Sequence, residues 1–174
     1  MMDLLKKIEH NGKTIEFHVD EDTESPREWS NLGTIVYSPG SRHTLGDKTM
    51  YTDEMESIMR NVDDYIHLPV YAYIHSEIAL NTTGFTCPWD SGQSGIIYVS
   101  KADVRKEYKK QRISTKLEET VCGVLRQEIA TFSQYLEGDV YGFIIKDKDG
   151  GVIDSCCGFY GMEHCEQEAI SMAS

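Results

Sequence analysis

The chain has 174 residues, 40% of them hydrophobic, and a formal net charge of −12. That length fills one well-buried core and leaves little for a second, so a single domain over residues 1–174 is expected. No apolar run reaches transmembrane length and no small-residue cleavage pattern follows MMDLLKKIEHNG, so the five cysteines are expected as reduced thiols in a cytoplasm.

In chain order the pattern reads as mixed strand and helix. Residues 4–8 and 14–19 flank Asn11-Gly12, a dipeptide suited to the positive φ angles of a type I′ hairpin turn. An acidic loop, DEDTESPRE, follows, then a short strand over 33–37 and a turn-rich loop over 38–47. Thr52 is placed to cap a helix to about Val62, with Asp53, Glu54 and Glu56 near its positive end and Met55, Ile58, Met59 and Val62 on one face. Residues 70–74 alternate as a half-buried strand that can pair with 77–81. Residues 82–94 read as a loop, and 95–99 as an apolar strand.

Ser100 caps a short basic helix over 101–108. The strongest helical signal comes next: Ile113, Leu117, Val121, Val124, Leu125, Ile129, Phe132 and Leu136 recur at spacings of three and four, and Thr115 with Glu118 has capping-box spacing. Residues 140–145 and 152–156 flank KDKDGG as a second hairpin with its turn at Asp149-Gly150, and 162–172 reads as a last helix. Strands in hairpin pairs predict an α+β fold, with a largely antiparallel sheet packed against one long amphipathic helix and shorter helices.

The charge is uneven. Residues 101–116 hold seven basic residues against two acidic ones, a local +5 that leaves −17 elsewhere. An anionic chain repels nucleic acid and anionic membranes at long range and is drawn to basic surfaces. The basic stretch invites the opposite reading, phosphate contact through Arg105, Lys106, Lys109, Lys110 and Arg112, or else pairing with the protein's own carboxylates.

Three constellations bear on chemistry. Cys156, Cys157, His164 and Cys165 are zinc-type ligands, but their adjacent pairing puts neighbours on opposite faces of a strand, so no metal site is expected. His75, Cys87 and Asp90 have the residue types of a thiol nucleophile with its base and orienting acid, and a pocket around Cys87, Trp89, Asp90 and Ser91 is the enzyme alternative. SGQSG at 91–95 has phosphate-turn composition, yet it leads into a strand rather than a helix. No catalytic residues and no cofactor are assigned.

The segments SPREWSNLGTIVYSPGSRHTLGD, CPWDSGQSGIIYVSKADVRKEY, YLEGDVYGFII and DSCCGFYG together resemble a family of small proteins carried by phages and mobile elements of bacteria. The resemblance covers most of residues 25–161, although that family usually has Trp where this chain has Cys157. It implies a protein that counters host defence in the bacterial cytoplasm. Small acidic anti-CRISPR proteins that inhibit Cas9 are similar in size and charge. On that footing the expected function is stoichiometric inhibition of a Cas nuclease, with acidic residues occupying the basic surface that holds nucleic acid. The first contact candidates are Asp20, Glu21, Asp22, Glu24, Asp53, Glu54 and Glu56.

Overall fold

The computed structural model describes residues 4–174. Its strands are β1 (Leu4–His10), β2 (Lys13–Val19), β3 (Thr34–Tyr37), β4 (Lys48–Thr49), β5 (Tyr65–Ile74), β6 (Ile78–Asn81), β7 (Ser91–Ser100), β8 (Val140–Lys146) and β9 (Val152–Tyr160). Its helices are α1 (Thr52–Arg60), α2 (Lys101–Glu107), α3 (Thr115–Glu137) and α4 (Met162–Ala173). The fold is α+β, with two mostly antiparallel sheets where the sequence suggested one. The described residues divide into two compact units, one formed by the N-terminal segment to Ser25 together with Gln134–Ser174, the other by Pro26–Ser133. No helix among them is long and apolar enough to cross a membrane.

The first unit holds the sheet β1-β2-β8-β9. Its first hairpin turns where the sequence places it, with Asn11 at φ 50 and Gly12 at φ 74. Strands β2 and β8 then pair in the register Ile15↔Ile145 and Phe17↔Phe143. These four side chains fill one face of the sheet and bury against Cys165, Ala169 and Ala173. The latter recur every four residues along α4, so the helix presents a stripe of small groups to the large ones on the strands.

The second hairpin is wider than a two-residue turn. The Asp147 carboxylate accepts from the backbone N–H groups of Asp149 and Gly151 at 2.9 and 2.8 Å, and Gly150 supplies the positive φ of 86. Strand β9 also runs past the expected Cys156 to Tyr160, crossing a register shift with Gly158 at φ 83. It is an edge strand and is exposed over most of its length.

The second unit is built on the sheet β4-β3-β7-β5-β6. Helix α1 packs Met55, Ile58 and Met59 against Val36 and Ile96. Tyr51 rather than Thr52 is its N-cap, and no side chain caps it. Strand β5 begins five residues before the expected Val70, because Pro69 pairs only toward β7. The β6 partners start at Tyr71, so the missing N–H of Pro69 lies where no ladder bond is needed.

Strand β7 likewise starts early. Ser91–Ser94 are strand residues rather than loop, and the SGQSG glycine nearest the core is there for space. A Cβ on Gly95 would lie 1.8 Å from the Val36 carbonyl oxygen. Ser100 caps α2 as expected, accepting from the Asp103 N–H at 3.0 Å. For α3 the cap moves one residue, since Ser114 Oγ rather than Thr115 accepts from the Leu117 N–H. The α3 stripe Val121, Leu125, Ile129 and Phe132 is buried as its spacing predicts.

Candidate functional site

A half-buried charge cluster organises the second unit. The Arg27 guanidinium donates to both oxygens of Asp47 at 2.9 and 2.7 Å, to Glu128 at 3.0 Å and to the Gly33 carbonyl at 2.7 Å. Glu128 in turn accepts from the Leu32 N–H at 2.7 Å, and Asp47 from the Ile35 N–H at 2.7 Å. Burial works against the charge on Arg27, but the hydrogen bonds to Asp47 and Glu128 outweigh it and push its pKa up. Gly33 is part of the same fit: a Cβ there would sit 2.5 Å from Leu125 Cδ2. Charges held this way fix the path of residues 26–47 against α3 and are not available to a partner.

The seven acidic candidates sort by the same criterion. Asp20 is engaged, accepting from the Asp22 N–H at 3.3 Å and the Gly158 N–H at 3.0 Å. Glu56 pairs with Arg60 one turn on. Glu21, Asp22, Glu24, Asp53 and Glu54 are exposed, and among the described residues no ion pair or hydrogen bond engages their carboxylates. Asp20 to Glu24 belong to the first unit, and Asp53 to Glu56 to the second.

The basic stretch is also left unengaged. Of its seven cations only Lys101 forms an ion pair among the described residues, with Glu118 at 3.8 Å. Arg105, Lys106, Lys109, Lys110 and Arg112 are all exposed. They gather where α2 ends, with Lys109 in the left-handed region at φ 52 and the Lys110 N–H returning to the Arg105 carbonyl at 3.0 Å. Cations at a helix C-terminus complement its dipole. Lys106 and Tyr108 line a cavity of about 720 Å³ whose other walls include Asn31, Asp103 and Glu128.

The enzyme alternative finds a pocket at Trp89, Asp90 and Ser91, but Cys87 is not among its lining residues and no triad forms among the described residues. A cavity of about 410 Å³ is lined by Ser38, Trp89, Asp90, Ser91 and Gln93, and Trp89 is 91% exposed at its edge. The Cys87 thiol donates to Asp90 at 3.6 Å. His75 is instead stacked on Tyr73 at a centroid distance of 6.5 Å, and no imidazole is hydrogen-bonded to Cys87 or Asp90 among the described residues.

The C-terminal cysteines part company in space. Burial pushes up the Cys165 thiol to about 11, with Glu166 and Cys156 adding to it. Burial and then Asp20 raise that of Cys157. Cys156 thus lies toward α4 and Cys157 toward the acidic loop, as strand alternation requires. No group of three or more His, Cys, Asp or Glu side chains that could hold a metal ion occurs among the described residues.

One residue that sequence reasoning passed over is His18. It alternates with Ile15 and Phe17 onto the other face of β2, yet it is only 7% exposed, and neither ring nitrogen has a hydrogen-bond partner among the described residues. It lines a cavity of about 310 Å³ with Asp20, Asp22, Ile144 and Cys157. The strand period shows which face His18 occupies, but burial of that face depends on Ile144 and the β9 turn more than a hundred residues away. No protein-family model, curated protein or solved structure matches this chain.

Proposed function

We propose that this chain is a non-catalytic anti-defence protein of the anti-CRISPR kind. In the cytoplasm of a bacterial host it binds a Cas9-type nuclease and blocks its nucleic-acid surface. The setting comes from the family resemblance of residues 25–161. The observation that carries the binding mode is the set of unengaged carboxylates: Glu21, Asp22, Glu24, Asp53 and Glu54 are exposed and outside any described internal pair. Cas9-type channels are lined with cations for a heteroduplex and read the PAM through arginines, so free carboxylates have partners there. Asp20 and Glu56 drop to supporting roles because their own neighbours hold them.

The test is a DNA-binding assay with a Cas9-type nuclease and increasing amounts of this protein. Inhibition is expected to saturate near one to one, and the quadruple reversal Glu21→Lys, Asp22→Lys, Asp53→Lys and Glu54→Lys is expected to abolish it. Full inhibition by the reversed protein would remove the acidic-face reading, and inhibition far below one equivalent would favour turnover. A second reading, direct nucleic-acid contact, is supported by the exposed cations Arg105, Lys106, Lys109, Lys110 and Arg112, which lack ion-pair partners among the described residues.

A further inference from the structure

We infer that the His18 cavity is a receptor for an arginine side chain presented by a protein partner. The inference rests on the reading above, that the loop of Asp20 to Glu24 meets a basic surface, and assigns that loop a specific point of contact. The cavity combines three features that rarely coincide without an occupant. Its walls at Val19, Gly142 and Ile144 are apolar, Asp20 and Asp22 line it, and a buried imidazole without a partner among the described residues faces it. Buried polar groups are normally hydrogen-bonded, so the ring nitrogens of His18, unpaired among the described residues, are open to a contact from a partner.

The chemistry selects among occupants. A neutral imidazole offers one donor and one acceptor, and a carboxylate only accepts. Asp22 has no described partner for its carboxylate, while Asp20 already accepts from two backbone N–H groups and from the Cys157 thiol, so Asp22 is the carboxylate with most capacity left. A ligand that lays an aliphatic stem along Ile144 and Val19 and brings several N–H donors to one end meets the carboxylates and the acceptor nitrogen of His18, leaving only the ring N–H to water. Arginine does so with a planar fork of five donors, while lysine offers a strongly hydrated point charge. The Cys157 thiol, held up by burial and Asp20, stays protonated at the mouth and adds no competing anion. A metal ion is disfavoured by the same geometry, since no three ligating side chains converge among the described residues.

The probe is N-acetyl-arginine-N-methylamide, titrated into the full chain at pH 8 and followed by the ¹⁵N resonances of the His18 ring and the backbone signals of Val19, Ile144 and Cys157. Saturable shifts confined to this set are expected. The citrulline analogue, neutral but of the same shape, is expected to bind roughly tenfold more weakly, the loss of one charge-assisted hydrogen bond. Asp22→Asn is expected to weaken arginine binding several-fold. Cys157→Trp, at an exposed position on the mouth, is expected to abolish it by filling the cavity while leaving the spectrum of the rest of the chain unchanged. Equal binding of arginine and citrulline analogues, or no saturable shift with arginine, overturns the inference. Neither result depends on nuclease inhibition, so arginine binding by a protein whose charge reversal leaves inhibition intact would sink the function proposed above and leave this cavity assigned.

Discussion

Arg27 and the cluster from Arg105 to Arg112 lie in the same unit and carry the same kind of charge, yet the protein uses them in opposite ways. Arg27 has a side chain only 8% exposed and divides its donors among Asp47, Glu128 and the Gly33 carbonyl. The five cations around the end of α2 are exposed and meet no carboxylate in an ion pair among the described residues. The contrast separates charges that hold the fold from charges left for solvent or a partner. Within residues 25–47 the same division holds: Arg27, Gly33 and Asp47 belong to the cluster, so their first role is to hold the fold. Function has to be sought in the charges that the cluster does not hold.

The comparison is broken most directly at Arg27. Arg27→Ala leaves Asp47 and Glu128 without their cation. Asp47 is partly open to solvent, so the expected cost in urea unfolding is about 2–3 kcal/mol, below that of a fully buried pair. Arg27→Lys keeps the charge but loses the fork that reaches both Asp47 oxygens, so it should recover only part of that loss. An unchanged denaturation midpoint for Arg27→Ala would erase the distinction between the two groups of cations.

A smaller effect divides the acidic loop. Asp20→Ala removes the acceptor for the Gly158 and Asp22 N–H groups, and a loss of about 1–2 kcal/mol is expected for hydrogen bonds to a charged group. Glu21→Ala, next along the chain, should stay within about 0.5 kcal/mol of the parent. Equal effects at both positions would mean that the loop is held by something other than Asp20.

Acid titration reports on a third engaged pair. The Lys146 hydrogen bond, 2.6 Å long, holds the Glu16 carboxyl below its ordinary 4.5, against burial that works to raise it, and the Lys146 charge adds to the lowering. A lowered folded value means that the ionised pair favours the fold above the unfolded value and that this support fades as the pH falls through the folded one. Lys146→Met should return the Glu16 carboxyl toward its usual range in an NMR titration. It should also flatten the fall of stability below about pH 4.5. A Glu16 titration unchanged by the substitution would show that the pair is not formed in solution.

How much of this could be read from the chain depends on range. The Asn11-Gly12 turn, the Ser100 cap and the α3 stripe follow from neighbours a few residues apart, and each appears where the local pattern puts it. The early starts of β5 and β7 were missed because the meaning of Pro69 and SGQSG is set by strands far along the chain. Pro69 is tolerated since β6 starts only at Tyr71, and Gly95 is needed since the Val36 carbonyl passes too close for a Cβ. The site was legible in the same uneven way. Charge and spacing marked out Asp20 to Glu24, but which of those carboxylates is already held depends on Gly158 in β9. His18 drew no reading, because its enclosure rests on Ile144 and Cys157 far along the chain.

The smallest effect on stability belongs to the basic stretch, and its smallness is the point. Arg105→Glu, Lys109→Glu and Arg112→Glu together break no described ion pair or side-chain hydrogen bond. Their only debit to the fold is the reversed sign at the C-terminus of α2, worth a few tenths of a kcal/mol for exposed charges. The triple variant should therefore unfold within about 1 kcal/mol of the parent. If these cations touch phosphate, the parent will shift a DNA or RNA duplex in a low-salt gel, the shift will weaken steeply with added salt, and the variant will lose it. If the parent shifts nothing at low salt, nucleic acid leaves the argument, and the exposed cations serve the helix end they surround. A large loss of stability in the variant would instead show that these residues have internal partners after all, and the contrast with Arg27 would fail from its other side.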